Sequence, residues 1–156
     1  MTRWQRWSFH LLMTASAVSG AVYLWMRYLL EADDPFSVIN HPWQPAMLGV
    51  HLLTAPAVIL LFGIVFQSHI ARKLDSPDRT NRRSGWTSLL TFGVMASSGY
   101  LLQVVTSPLA VQLVWGLHLA SSGAFVVGYA VHLVLGFNLL RTFLLRRRAV
   151  VAVSES

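Results

Sequence analysis

Cysteine is absent from the 156 residues. That removes disulfides, thiolate metal centres, covalent haem attachment through a C-x-x-C-H signature, and thiol redox chemistry. Charge is scarce too: 12% of residues are Asp, Glu, Lys or Arg, about half the usage of an ordinary soluble domain. Only six residues are acidic, and none lies inside a long apolar run. Transition-metal or proton-coupled transporters normally carry intramembrane carboxylates, so both classes are disfavoured.

What is present is apolar. Hydrophobic residues make up 54% of the chain, and the mean hydropathy is positive. Four stretches reach the roughly 20 residues a bilayer crossing needs: Trp7–Leu30, Pro45–Ile70, Trp86–Val105 and Leu109–Leu145. The fourth exceeds one crossing, which predicts a continuous helix projecting into water. The connections Glu31–Gln44, Ala71–Gly85 and Thr106–Pro108 are short, so consecutive helices should be antiparallel neighbours. A cleaved signal peptide fits the first stretch poorly. Its small-residue motif, Ala15-Ser-Ala17, lies inside an apolar run that continues to Leu30. The expected fold is all-α and integral to the membrane: a four-transmembrane-helix up-down bundle, one domain over 1–156 with no soluble segment.

The pI near 10.8 would fit nucleic acid, but location argues against that partner. The basic residues flank apolar runs instead of forming a solvated stripe with interleaved aromatics. Arg3 and Arg6 precede the first stretch. Arg72, Lys73, Arg79, Arg82 and Arg83 separate the second and third, and Arg141, Arg146, Arg147 and Arg148 follow or end the fourth. Only Arg27 lies on the opposite side, near Glu31, Asp33 and Asp34. The positive-inside rule then places both termini and the middle loop in the cytoplasm, consistent with a bacterial inner membrane. Trp4, Trp7, Trp25, Trp43, Trp86 and Trp115 fall near span ends, as an interfacial belt requires.

Orientation sorts the six histidines by depth. His118 and His132 are fourteen residues apart in one nearly uncharged segment. On a helix that is a rise of about 21 Å and a rotation within about 40° of whole turns, so the two imidazoles share a face at two depths. Ionisable groups inside a membrane are costly and functional by default. His51 lies near the periplasmic end of the second span, level with His118. The inner partner of His132 is His10 or His69. From His51 to His69 the rise is about 27 Å, which overshoots the His118–His132 interval and favours His10. His41 lies in the outer loop. Two neutral imidazoles from different helices at one depth are what a b-type haem requires. Small residues (Ala15–Ala17, Ser19–Ala21, Ala96–Gly99, Ser121–Ala124) leave room for a flat ring, and equally for plain helix packing. Isolated membrane histidines can also serve only as interhelical hydrogen bonders.

In this order, His10, His51, His118 and His132 resemble the bacterial di-haem cytochrome b family. It includes stand-alone cytochrome b561-type quinol oxidases and the cytochrome b subunits of formate dehydrogenases and nickel–iron hydrogenases. In that family one ligand comes from helix one, one from helix two, and two from helix four, fourteen residues apart. The resemblance covers nearly the whole chain and implies two haem b groups. His10 would pair with His132 on the cytoplasmic side and His51 with His118 on the periplasmic side, leaving His69 as the alternative inner ligand. It also implies electron exchange with a quinone near the inner haem, for which Asn138 and Arg141 are candidate contacts. Arg27 is a candidate contact for haem propionates. The expected role is electron transfer between the quinone pool and a periplasmic redox protein, within a larger oxidoreductase or as a stand-alone quinol-oxidising cytochrome. The competing expectation is a haem-free structural or assembly subunit. His69, the pair His41-Pro42 and Pro56 depart from the family pattern.

Overall fold

The first helix begins where the sequence supplies a cap, not where the apolar run begins. The Thr2 hydroxyl accepts from the Gln5 N–H at 3.2 Å, and the Gln5 side chain accepts from the Thr2 N–H at 2.8 Å. This reciprocal pair satisfies two donors that a helix N-terminus otherwise leaves orphaned. In the computed structural model α1 therefore spans Arg3–Tyr28, starting four residues before Trp7. The structure describes residues 2–32, 34, 36–71 and 82–154, with side chains described outside 68–70, 82–85 and 135–154. Four α-helices account for its regular structure: α1, α2 (Gln44–Val65), α3 (Arg82–Leu101) and α4 (Pro108–Ser154), with a π-helical turn, Phe66–Ala71, extending α2. Among the described residues, Arg3–Tyr28, Gln44–Val65 and Pro108–Val134 are long and apolar enough to cross a membrane. The described residues are all-helical, and these three helices point to a membrane protein.

The chain divides into two compact units, Met1–Thr80 and Asn81–Ser156. In the first, α1 and α2 pack as an antiparallel hairpin. Phe9 meets Phe62 with ring centroids 6.4 Å apart, and Gly20 meets His51. Moving eleven residues forward along α1 thus corresponds to moving eleven back along α2. In this register Phe9 and Met13 of α1 lie level with Phe62 and Val58 of α2, and the helices also bury Ser19 and Met26 on α1 and Leu61 and Val65 on α2. Asn40 closes the outer end. Its side-chain amide donates to the carbonyls of Arg27 (3.0 Å) and Leu30 (2.8 Å), and its backbone N–H donates to the buried Gln44 side chain at 3.1 Å. A helix C-terminus leaves carbonyls without partners, and Asn40 supplies them.

The second unit repeats the plan with a tighter turn. The N–H groups of Gln103 and Val104 donate to the carbonyls of Tyr100 and Leu101, each at 3.0 Å, so α3 ends at Leu101 and not at Val105. Pro108 then opens α4 at a position where its missing N–H costs nothing. No further proline follows, and α4 runs unbroken for 47 residues. Phe92 packs on Phe125 at 5.4 Å, with Tyr129 stacked beyond. Outside these seams Leu11, Leu53, Leu60, Leu90, Leu113 and Val127 are exposed, as are all six tryptophans. A surface this apolar suits lipid and would be an aggregation liability in water.

Candidate functional site

Each unit builds the same arrangement around one histidine. In a helix a side chain leans back over the turn before it, so a glycine uncovers the carbonyl four residues earlier to sideways approach. Gly20 uncovers the Ser16 carbonyl in this way. The imidazole of His51, from α2, enters the gap and places Nδ1 2.9 Å from the Ser16 oxygen. A methyl group at Gly20 would stand 2.8 Å from His51 Cε1 and 2.9 Å from Nδ1. The ring occupies the space a side chain would need.

In the second unit Gly99 uncovers the Met95 carbonyl. His118, from α4, places Nδ1 3.0 Å from that oxygen. A methyl group at Gly99 would stand 3.0 Å from His118 Cε1 and 3.3 Å from Nδ1. The serine before each glycine is buried, at 3% exposure for Ser19 and 1% for Ser98. Each turns its hydroxyl back on its own helix. Ser19 donates to Ala15 O (2.7 Å) and Ser16 O (3.1 Å), and Ser98 donates to Val94 O (2.7 Å) and Met95 O (3.0 Å). Ser98 Oγ also lies 3.2 Å from His118 Nδ1, as a second acceptor. On the histidine side, Thr54 donates to His51 O and Ser121 to His118 O, three residues back in both cases.

The chemistry follows from the acceptor. A carbonyl oxygen can only accept, so the proton at each contact belongs to Nδ1. A neutral ring then carries its lone pair on Nε2. Metal-ligating histidines are commonly fixed this way, with the second nitrogen donating to a carbonyl that sets tautomer and ring orientation. His41 makes the opposite choice. Its Nδ1 accepts from the Trp43 N–H at 3.1 Å, which makes it a turn residue with the proton on Nε2.

The remaining candidates lie elsewhere on the same helices and their flanks. His10 is half-buried on α1 with Trp7 edge-on to it, centroids 6.4 Å apart. It lies ten residues before Gly20, a rise of about 15 Å from the level of His51. His132 is exposed on its unit, on the same unbroken helix as His118. The first unit thus separates its two levels by about 15 Å with His10 or about 27 Å with His69, while α4 separates its pair by about 21 Å. Helix rise alone therefore does not separate the two inner candidates. The side chains of His69, Asn138 and Arg141 lie outside the described residues, as do Arg72, Lys73, Arg79 and the C-terminal arginines used for orientation. Arg27 Nη1 donates to the Val38 carbonyl at 3.2 Å, tying the loop to α1.

Among the described residues no three His, Cys, Asp or Glu side chains gather into a metal cage. Two of the candidates, His51 and His118, are single imidazoles fixed by a backbone carbonyl. That suits a metal which arrives with most of its ligands, as porphyrin iron does, and needs only axial nitrogens. The Ser–Gly steps at 19–20 and 98–99, and the hydroxyl residue three after each histidine, are legible in the sequence as paired features. The acceptor carbonyls of Ser16 and Met95 carry no sequence signal. No protein-family model, curated protein or solved structure matches the chain.

Proposed function

We propose that this chain is a di-haem b-type membrane cytochrome, carrying electrons across a bacterial inner membrane between a quinone pool and a periplasmic redox partner. His51 and His118 would ligate the outer haem, and His10 and His132 the inner. Residues 86–105 would complete a four-span up-down bundle with both termini cytoplasmic. The supporting observation is the twice-built imidazole seat: Nδ1–H bound to a backbone carbonyl, and Nε2 carrying the lone pair that iron requires. The continuity of α4 through His118 and His132 supports the two-level placement.

Bound haem would supply one-electron chemistry, with His51, His118, His10 and His132 as the residues that would hold it. The chain's part is to hold and orient. The Ser16 and Met95 carbonyls accept from Nδ1–H of His51 and His118 and fix the rings, which would raise the basicity of Nε2 and favour oxidised iron. The apolar spans exclude water from around the ligands. The proposed setting is a subunit of a larger oxidoreductase, with quinone bound near the inner haem.

A second reading rests on the same hydrogen bonds. Histidines bonded across helices also stabilise membrane packing by about 1 kcal/mol each, which is all a haem-free structural subunit needs. Haem content separates the two. The chain purified in detergent from a haem-supplied host should yield two non-covalent, acid-extractable haems per polypeptide. Folded protein without haem would support the structural reading.

A further inference from the structure

We infer that Gly20 and Gly99 are positioning residues, whose missing side chains set the proton position and orientation of His51 and His118. The role in ligation rests on the cytochrome reading; the effect on the imidazoles does not.

The inference starts from a contrast among glycines. Gly20 and Gly99 have an imidazole where a Cβ would go, whereas Gly49, Gly93, Gly116, Gly123 and Gly128 have nothing within 4 Å of that point among the described residues. Helix propensity alone favours alanine over glycine by about 1 kcal/mol in water, so the two occupied positions need a reason for glycine and the open ones do not supply it. At Gly20 the reason is steric. A Cβ 2.8–2.9 Å from Cε1 and Nδ1 overlaps the ring at the nitrogen that holds the Ser16 carbonyl. The ring must move, and its escape lengthens the Nδ1–H···O bond first. At Gly99 the clearances are 3.0 and 3.3 Å, so alanine crowds the ring less and a larger residue is needed to displace it.

The buried serines complete the device. Because Ser19 and Ser98 already give their protons to the same two carbonyls, Ser16 O and Met95 O, neither hydroxyl competes to protonate the imidazole. The carbonyl oxygen carries both donors, which polarises the contact and keeps the ring proton on Nδ1. Displacing the ring lengthens its contact with the carbonyl that favours this tautomer, Ser16 O for His51 and Met95 O, with Ser98 Oγ beside it, for His118. The preference for a proton on Nδ1 then weakens, and with it the hold on the Nε2 lone pair.

The test uses the full chain in detergent micelles with ¹⁵N-labelled histidine, read by ring-nitrogen chemical shifts, and the same variants assayed for haem. In the unsubstituted protein His51 and His118 should both appear as Nδ1–H tautomers in the haem-free state. Gly20→Ala should change the His51 nitrogens alone, and Gly99→Val those of His118 alone. Gly49→Ala and Gly116→Ala should change neither. In haem-loaded protein, Gly20→Ala should raise the midpoint potential of one haem or halve the haem content, while the control glycine variants leave both haems unaltered. If Gly20→Ala prevents folding, the double variant Gly20→Ala/His51→Ala should restore it, because removing the ring removes the overlap.

Unchanged ring nitrogens in Gly20→Ala and Gly99→Val, or a double variant no more stable than Gly20→Ala alone, would overturn the positioning role. Selective loss of the Nδ1–H signature in a protein that never takes up haem would uphold positioning and overturn the cytochrome reading instead.

Discussion

At the scale of single residues, the histidines divide by what their Nδ1 does. His51 and His118 donate from it to carbonyls of the neighbouring helix, and His41 accepts at it from the next turn of its own loop. The proposed ligands should therefore lose haem in pairs. His51→Ala and His118→Ala should each remove the same outer haem, dropping the haem-to-protein ratio from two to one. His10→Ala and His132→Ala should each remove the other. If His69→Ala replaces His10→Ala in that pattern, the inner ligand is reassigned. The spacing of His118 and His132 was legible because a helix imposes one rise per residue. The seats were not, although a pattern lies in plain view: Ala-x-Ser-Gly occurs at 17–20, 96–99 and 120–123. Two copies hold an imidazole. At the third, Gly123 faces open space and the Ser122 hydroxyl is buried without a partner among the described residues. Which copy is filled depends on the register of the facing helix, and no local sequence carries that.

At the scale of helices, hydropathy located every element but not its ends. Apolar runs report where lipid is; caps and turns report where a helix starts and stops. Thr2 and Gln5 extend α1 beyond its apolar run, and the turn after Leu101 stops α3 before its run is finished. Asn40 carries the clearest energetic consequence. Replacing it with Leu removes the two side-chain hydrogen bonds to the Arg27 and Leu30 carbonyls and keeps the backbone N–H that donates to Gln44. The expected cost is about 1–3 kcal/mol, measurable as a lowered midpoint for loss of helical circular dichroism in micelles. The haem spectrum should be unchanged, because Asn40 touches neither seat. The reverse holds at Gly116, where Ala adds helix propensity in open space; that variant should unfold no earlier than the parent.

At the scale of the whole molecule, the described residues form two antiparallel hairpins built on one plan, with three helices fit to cross a membrane and many large apolar side chains exposed. Topology was read from arginines that flank the spans, a signal that belongs to the membrane and not to any contact inside the protein. The absence of cysteine makes that reading directly measurable. A single Cys introduced by Ser37→Cys should react with a membrane-impermeant maleimide on intact spheroplasts, and one introduced by Ser154→Cys should react only after the membrane is opened. The opposite labelling would invert the proposed electron path. Everything functional then rests on whether the paired imidazoles hold iron. The dithionite-reduced minus oxidised spectrum of the purified, folded chain answers that in one experiment. A sharp b-type α-band, scaling to two haems per polypeptide and halved by His118→Ala, is the predicted result. A folded protein from a haem-supplied host with no α-band would contradict it.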